Sequence, residues 1–214
     1  MNLQRGMNFR IRGNVSVVLM SLRPGAPYAD RVEDGGRTLI YEGHDVPRSR
    51  DVPDPKSVDQ PLRTENGTLT QNGLFFEAAR RFKAGEAPAE LVAVYEKIRA
   101  GIWVYNGLFR LVDAWLEDSG PRKVFKFRLE LVDEAGEVPR SEDGSDLAHQ
   151  RMIPSDVKRE VWKRDGGRCV ICGSRDNLHF DHSIPYSKGG SSLVASNIQV
   201  LCARHNLAKH DRIE

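Results

Sequence analysis

The chain has 214 residues, 39% of them hydrophobic, enough for one large packed domain or two small ones. Its formal net charge of +2 hides an asymmetry: residues 151–214 carry 11 Lys and Arg against 7 Asp and Glu, while the first 150 carry 21 against 23, so the C-terminal part suits a polyanionic partner. No apolar run approaches the roughly 20 residues of a membrane span and the start lacks a secretory h-region, so we expect a cytoplasmic protein with no membrane partner.

In chain order, "NVSVVLMSL" and "TLIYEG" read as strands. "LFFEAARRF" spaces Leu74, Ala78 and Phe82 four apart and stops at Gly85, which predicts a helix, and "AELVAVYEKIRAG" repeats the helical pattern. In "GIWVYNGLFRLVDAW" two β-rich runs flank Asn106-Gly107, a hairpin signal because both residues tolerate positive φ. "VFKFRLELV" alternates, with Phe125, Phe127, Leu129 and Leu131 on one face and Lys126, Arg128 and Glu130 on the other, as in a half-buried strand. Residues 133–147 hold six acids, one Arg and one Pro and offer little to bury, so the domain boundary is placed there. Beyond it, "PSDVKREVWKRDGG" reads as a helix capped by Ser155 and ended at Gly166-Gly167, with Val157 and Val161 facing inward.

All three cysteines fall in the last 46 residues, an odd number that favours metal ligation over disulfides. Cys169 and Cys172 form a C-x-x-C, and Cys202 and His205 a C-x-x-H. Two close pairs of soft ligands match a closed, structural, tetrahedral Zn²⁺ site, a useful staple for a segment with few large apolar groups. Between the pairs lie Asp181-His182 and Asn197, and Asn206 directly follows the last zinc ligand. Consecutive helical residues point about 100° apart, so His205 can face zinc while Asn206 faces a second cavity shared with Asp181. A carboxylate and an amide oxygen suit Mg²⁺ or a similar hard ion. His182 beside that ion could take a proton from water, with Asn197 holding the imidazole by a hydrogen bond.

These residues, with "DHSIPYSKGG" and "IQVLCARHNLAK", resemble the HNH nucleases of the ββα-metal fold over residues 153–212. The resemblance implies that His182 is the general base, that Asp181 and Asn206 hold a catalytic Mg²⁺ or Mn²⁺, and that Asn197 orients the base. His205 stands where many members have a fourth cysteine, and Asn206 where the family name has its final His. Lys188, Arg204 and Lys209 are the candidates for phosphate contacts, against the plainer reading of solvated surface charges.

Three upstream stretches, "VSVVLMS…PYADRVEDGGRTLIYEG", "SVDQPLRTENGTLTQN" and "IWVYNGLFRLVDAWLED…KVFKFRLELV", resemble the SRA domains that bind modified cytosine, over about residues 8–132. This resemblance implies base flipping, with Tyr28 and Tyr41 sandwiching the extruded base and Asp30 accepting from the cytosine amino group. Asp34 is the alternative acceptor, because Arg31 interrupts the usual acidic run. Tyr41 also reads as a core tyrosine and Tyr28 as a loop anchor, while Asp59, Gln60 and Asn66 fit capping as well as DNA contact.

The expected fold is α+β in two domains. Residues 1–132 form an SRA-like twisted β-barrel with helices, 133–150 an acidic linker, and 151–214 a small zinc-stapled ββα-metal nuclease. The expected function is modification-dependent cleavage of double-stranded DNA carrying 5-methylcytosine or 5-hydroxymethylcytosine, in a restriction system, by a homodimer on DNA. The alternatives are an HNH nicking enzyme without modified-base preference and a non-catalytic reader.

Overall fold

A computed structural model describes residues 6–12, 15–132, 152–185 and 188–209; the acidic linker at 133–150 lies outside the described residues. In chain order the elements are strands β1 (Met7–Arg12), β2 (Val15–Met20), β3 (Arg31–Glu33) and β4 (Thr38–Glu42), helix α1 (Gln71–Lys83), and strands β5 (Glu90–Arg99), β6 (Ile102–Ser119) and β7 (Arg122–Leu131). Then follow α2 (Ser155–Arg164), β8 (Leu178–His182), β9 (Ile198–Cys202) and α3 (Ala203–Lys209). The chain forms two compact units, one of residues 1–32, 38–96 and 106–132, the other of 33–37, 97–105 and 133–214.

Seven strands form one sheet in the order β1-β2-β5-β6-β7-β4-β3. β2 runs parallel to β5, whereas β1/β2, β6/β7 and β4/β7 are antiparallel. The order begins at β1 and ends at β3 without rejoining, so the described strands make an open sheet rather than the closed barrel expected. α1 packs on β1 and β7, burying Phe75 and Ala79. Thr70 caps its start by accepting from Gly73 N at 3.1 Å, and Arg80, Arg81 and Lys83 suit the negative end of the helix. Phe75 meets Phe127 edge-on at 5.9 Å, beside the fully buried Phe109, Leu111 and Leu129.

Three local expectations fail for one reason, the burial of polar side chains. Residues 90–99 are a strand, not a helix: Glu90, Val92, Val94, Glu96 and Ile98 alternate inward. Two carboxylates at core positions disguised the period of two, and only tertiary partners make them tolerable. Glu90 pairs with Arg10 at 2.7 Å and accepts from Ser16 Oγ at 2.7 Å, while Glu96 accepts from Asn106 Nδ2 at 3.0 Å. Asn106-Gly107 is therefore not a turn. It lies inside β6, and the reversal between β5 and β6 falls on Ala100-Gly101, where Gly101 adopts φ +74°. β7 keeps Arg128 and Glu130 outward as expected but is covered on both faces over its first half: Lys126 is 2% exposed and reaches Glu42 Oε2 at 2.9 Å. Arg122 stands 3.4 Å from the same Glu42 and also pairs with Asp45.

In the second unit β8 and β9 form an antiparallel hairpin, with Leu178 opposite Cys202 and His182 opposite Ile198. Val157 and Val161 of α2 face inward as expected and pack with Ile153, Ile198 and Val200. The cap position is Pro154, one residue before the expected Ser155. At the other end Asp165 accepts from Val200 N at 2.9 Å and pairs with Arg164 at 2.6 Å, tying α2 to β9.

Candidate active site and metal centre

Cys169 and Cys172 lie in the turns before β8, Cys202 ends β9, and His205 stands in α3 one turn later. Their ligand atoms all fall within 4.8 Å of one another. Cys169 Sγ and Cys202 Sγ each stand 3.3 Å from His205 Nδ1, and Cys172 Sγ is 3.8 Å from Cys202 Sγ. Tetrahedral zinc with bonds of about 2.0–2.3 Å sets its ligand atoms about 3.5–3.8 Å apart, so the cluster has the right chemistry and nearly the right size. Burial pushes the Cys169 thiol up, but backbone N–H groups of Cys202, Cys172 and Ile171, with His205, outweigh it and lower the thiol to about 6. The thiolate that a metal needs is thus favoured near neutral pH.

Asp181 and His182 are neighbours on β8, so strand alternation points them to opposite faces, and different partners hold each. His182 Nε2 stands 2.7 Å from Ser192 Oγ, a buried hydroxyl that the sequence did not single out. Asp181 Oδ2 stands 2.9 Å from Lys209 Nζ. The expected Asn197–imidazole bond is replaced by an indirect arrangement. Asn197 Oδ1 accepts from Ile184 N at 2.8 Å, and its Nδ2 donates to Ile184 O at 3.2 Å and Ser191 O at 3.0 Å. Asn197 O also accepts from Ser183 N at 2.7 Å. Asn197 therefore fixes the chain just after the imidazole and just before Ser192. The loop closes so tightly that a Cβ on Gly190 would lie 1.8 Å from Ile184 O, which only glycine avoids.

Asn206 is half-buried on α3, and among the described residues no hydrogen bond engages its amide. Asp181 Oδ2 is closed to solvent and, despite the nearby ammonium, has no hydrogen bond of good angle. A carboxylate oxygen without a hydrogen bond is a ligand type that suits a hard divalent ion, and α3, which carries Asn206, packs against β8. Of the three phosphate candidates, Lys188 and Arg204 are exposed, and Arg204 approaches His205 Nε2 at 3.4 Å. Lys209 is 2% exposed and engaged with Asp181, so it is not a surface phosphate contact.

In the sheet unit, Tyr41 is 1% exposed, and its hydroxyl bonds Gly6 O at 3.1 Å and His44 Nε2 at 2.9 Å. His44, which the sequence did not single out, stacks parallel on Tyr28 with centroids 4.9 Å apart and lies 6.1 Å from Tyr41. An imidazole thus covers one face of Tyr28 and is bonded to the Tyr41 hydroxyl. Burial lowers His44 to about 4, which keeps it neutral at pH 7. Asp30 accepts from Ser21 N at 3.1 Å and Glu42 N at 3.0 Å, and burial raises its carboxyl to about 6. Asp34 is exposed in a 3-10 turn after β3. Asp59 accepts from Lys123 N at 2.7 Å, and buried Gln60 joins Gly43 O and Phe125 N, so both act as clips between segments; Asn66 is an exposed turn residue.

Residues 169–212 match the family model described as HNH endonuclease. The C-terminal unit thus contains an HNH endonuclease domain, a DNA-cleaving hydrolase. Nothing among curated proteins matches the chain. Among solved structures it is similar to the SRA domain of SUVH5 in complex with hemimethylated CG DNA, at 26% identity and a TM-score of 0.42 over 64% of this chain and 79% of that one. SUVH5 SRA bound to fully hydroxymethylated CG DNA matches at 22% identity and 0.43, over 64% and 80%. Arabidopsis thaliana SUVH6 in complex with SAM matches at 19% and 0.36, over 62% of this chain and 21% of that one.

Proposed function

We propose that this chain is a modification-dependent DNA endonuclease in which residues 1–132 select a modified cytosine and residues 151–214 hydrolyse a nearby phosphodiester. The observation that carries the nuclease half is the HNH match over a hairpin on which Ser192 and Asn197 fix His182 while Asp181 stands on the adjoining position. Ser192 Oγ, 2.7 Å from Nε2, holds the ring orientation in which the His182 imidazole would take a proton from the attacking water. Asp181 and Asn206 would hold Mg²⁺ or Mn²⁺, which when bound stabilises charge on the scissile phosphate and the leaving 3′ oxygen. Cys169, Cys172, Cys202 and His205 would hold Zn²⁺ and so anchor α3, which carries Asn206. Lys188 and Arg204, exposed on the same unit, would meet flanking phosphates.

The reader half rests on the motif residues of the sheet unit. Tyr28 supplies an aromatic face and Asp30 a carboxylate suited to the N4 donor of cytosine. A flipped 5-methylcytosine or 5-hydroxymethylcytosine can stack on Tyr28 only after His44 leaves that face, with buried Tyr41 as the floor behind. One HNH module cuts one strand, so a double-strand break calls for a homodimer on the DNA, acting in a cytoplasmic restriction system.

The test is cleavage of matched duplexes carrying cytosine, 5-methylcytosine or 5-hydroxymethylcytosine, with Mg²⁺ or Mn²⁺. Wild type should cut modified DNA, His182→Ala should lose at least about 10²–10⁴-fold in rate, and Tyr28→Ala should lose the preference for modification. Equal cutting of every duplex would remove the reader and favour a nicking enzyme without base preference, a reading that the filled Tyr28–His44 stack already supports.

A further inference from the structure

Lys209 is the last residue of α3, three positions after Asn206, so the helix offers an amide and an ammonium on one side. Its side chain is 1% exposed, which for a lysine requires a charge partner. Nζ finds two partners on β8: it forms an ion pair with Asp181 Oδ2 at 2.9 Å and donates a hydrogen bond to the carbonyl oxygen of His182 at 2.6 Å. A protein cation thus already stands on the carboxylate expected to receive the divalent ion. It also grips the backbone of the expected general base.

Two cations on one carboxylate repel each other. In a site shielded from water that repulsion is large enough to weaken ion binding about tenfold or more. A substrate phosphate adds negative charge beside the same group and offsets the excess positive charge. By linkage, whatever DNA does for the ion, the ion does for DNA. We infer that Lys209 is a resident cation that makes divalent-ion loading at Asp181 conditional on bound DNA. The inference rests on the HNH reading of Asp181. It assigns Lys209 a positioning and regulatory role and no proton transfer. Such coupling would leave the free protein with a poorly loaded and therefore quiet nuclease site.

The experiment is Mn²⁺ titration by electron paramagnetic resonance on the full chain carrying His182→Ala, which prevents cutting and leaves the residue-182 carbonyl in place. Titrations are run with and without saturating duplex, with ions bound by duplex alone subtracted. With Lys209 present, DNA should tighten Mn²⁺ about tenfold or more. Lys209→Met should bind Mn²⁺ about tenfold more tightly without DNA and gain little more from it. Lys209→Gln, which keeps a donor for the residue-182 carbonyl while removing the charge, should behave the same way and guards against misfolding of the Met variant. Folded Lys209→Gln with unchanged or weaker Mn²⁺ affinity and unchanged DNA coupling would overturn the inference. An Asp181→Asn control separates the two ideas. Mn²⁺ binding lost in that control yet indifferent to Lys209 sinks the lysine's role alone. Binding that survives Asp181→Asn, or no binding by any variant, sinks the ion site as well.

Discussion

The two units hold their polar residues in opposite ways. In the sheet unit, buried charges satisfy one another: Glu42 stands between Lys126 and Arg122, Arg122 continues to Asp45, and Glu90 joins Arg10 and Ser16. In the C-terminal unit the apolar cluster of Ile153, Val157, Val161, Ile198 and Val200 is small, and four soft ligands converge beside it. The difference teaches that a wide sheet absorbs most of its charges pairwise, whereas a short hairpin and two short helices with a small apolar core gather four residues able to hold an ion.

The largest effect should come from removing the metal. Chelation, or Cys202→Ser, should unfold β8, β9 and α3, since structural zinc is worth about 10 kcal/mol or more in small domains. The sheet unit should stay folded, as seen by resolved amide resonances and zinc content measured together. Loss of sheet signals in parallel would break the contrast between the units.

A smaller effect is expected from Lys126→Met, which leaves Glu42 buried with one partner fewer. Breaking such a pair costs about 3–5 kcal/mol. Denaturant unfolding should show the sheet unit weakened and the C-terminal unit unchanged. A loss below about 1 kcal/mol would mean that the ion cluster is not what holds β4 to β7.

The finest test uses pH. The Asp30 carboxyl is raised from 3.8 to about 6, so the folded state holds its proton longer, and stability from this group falls as pH rises between those values. His44 is lowered from 6.5 to about 4, so stability from this group rises with pH over that window. Between about pH 4 and 6 the slopes oppose, and the sheet unit should be nearly indifferent to pH. Asp30→Asn should unmask a rise, and His44→Gln a fall, each of up to about 3 kcal/mol. Parallel pH profiles for the two variants would show that one of the groups is not buried in solution as it is here.

The convergence of Cys169, Cys172, Cys202 and His205 was legible in the chain because their spacing is local: two residues separate each pair, and a turn or one helical turn brings them together. The places of Asp181 and His182 on the strand between the two pairs, and of Asn206 beside His205, follow from the same local spacing. Ser192 was not, since a serine in "GGSSLV" carries no signal until Asn197 folds the loop back upon His182. His44 escaped notice because its stack with Tyr28 joins residues sixteen apart across β3 and β4.

By itself the sequence determined the residue types gathered in the C-terminal unit, about half of the strand and helix positions, and the basic bias of the last 64 residues, because all of these follow from local spacing and composition. The tertiary structure decided which charges are buried. Glu90 and Glu96 turned a helical pattern into a strand, Lys126 became a core residue, and Lys209 left the surface for Asp181. A charge can be buried only where a partner distant in sequence meets it, and that meeting is a property of the folded chain.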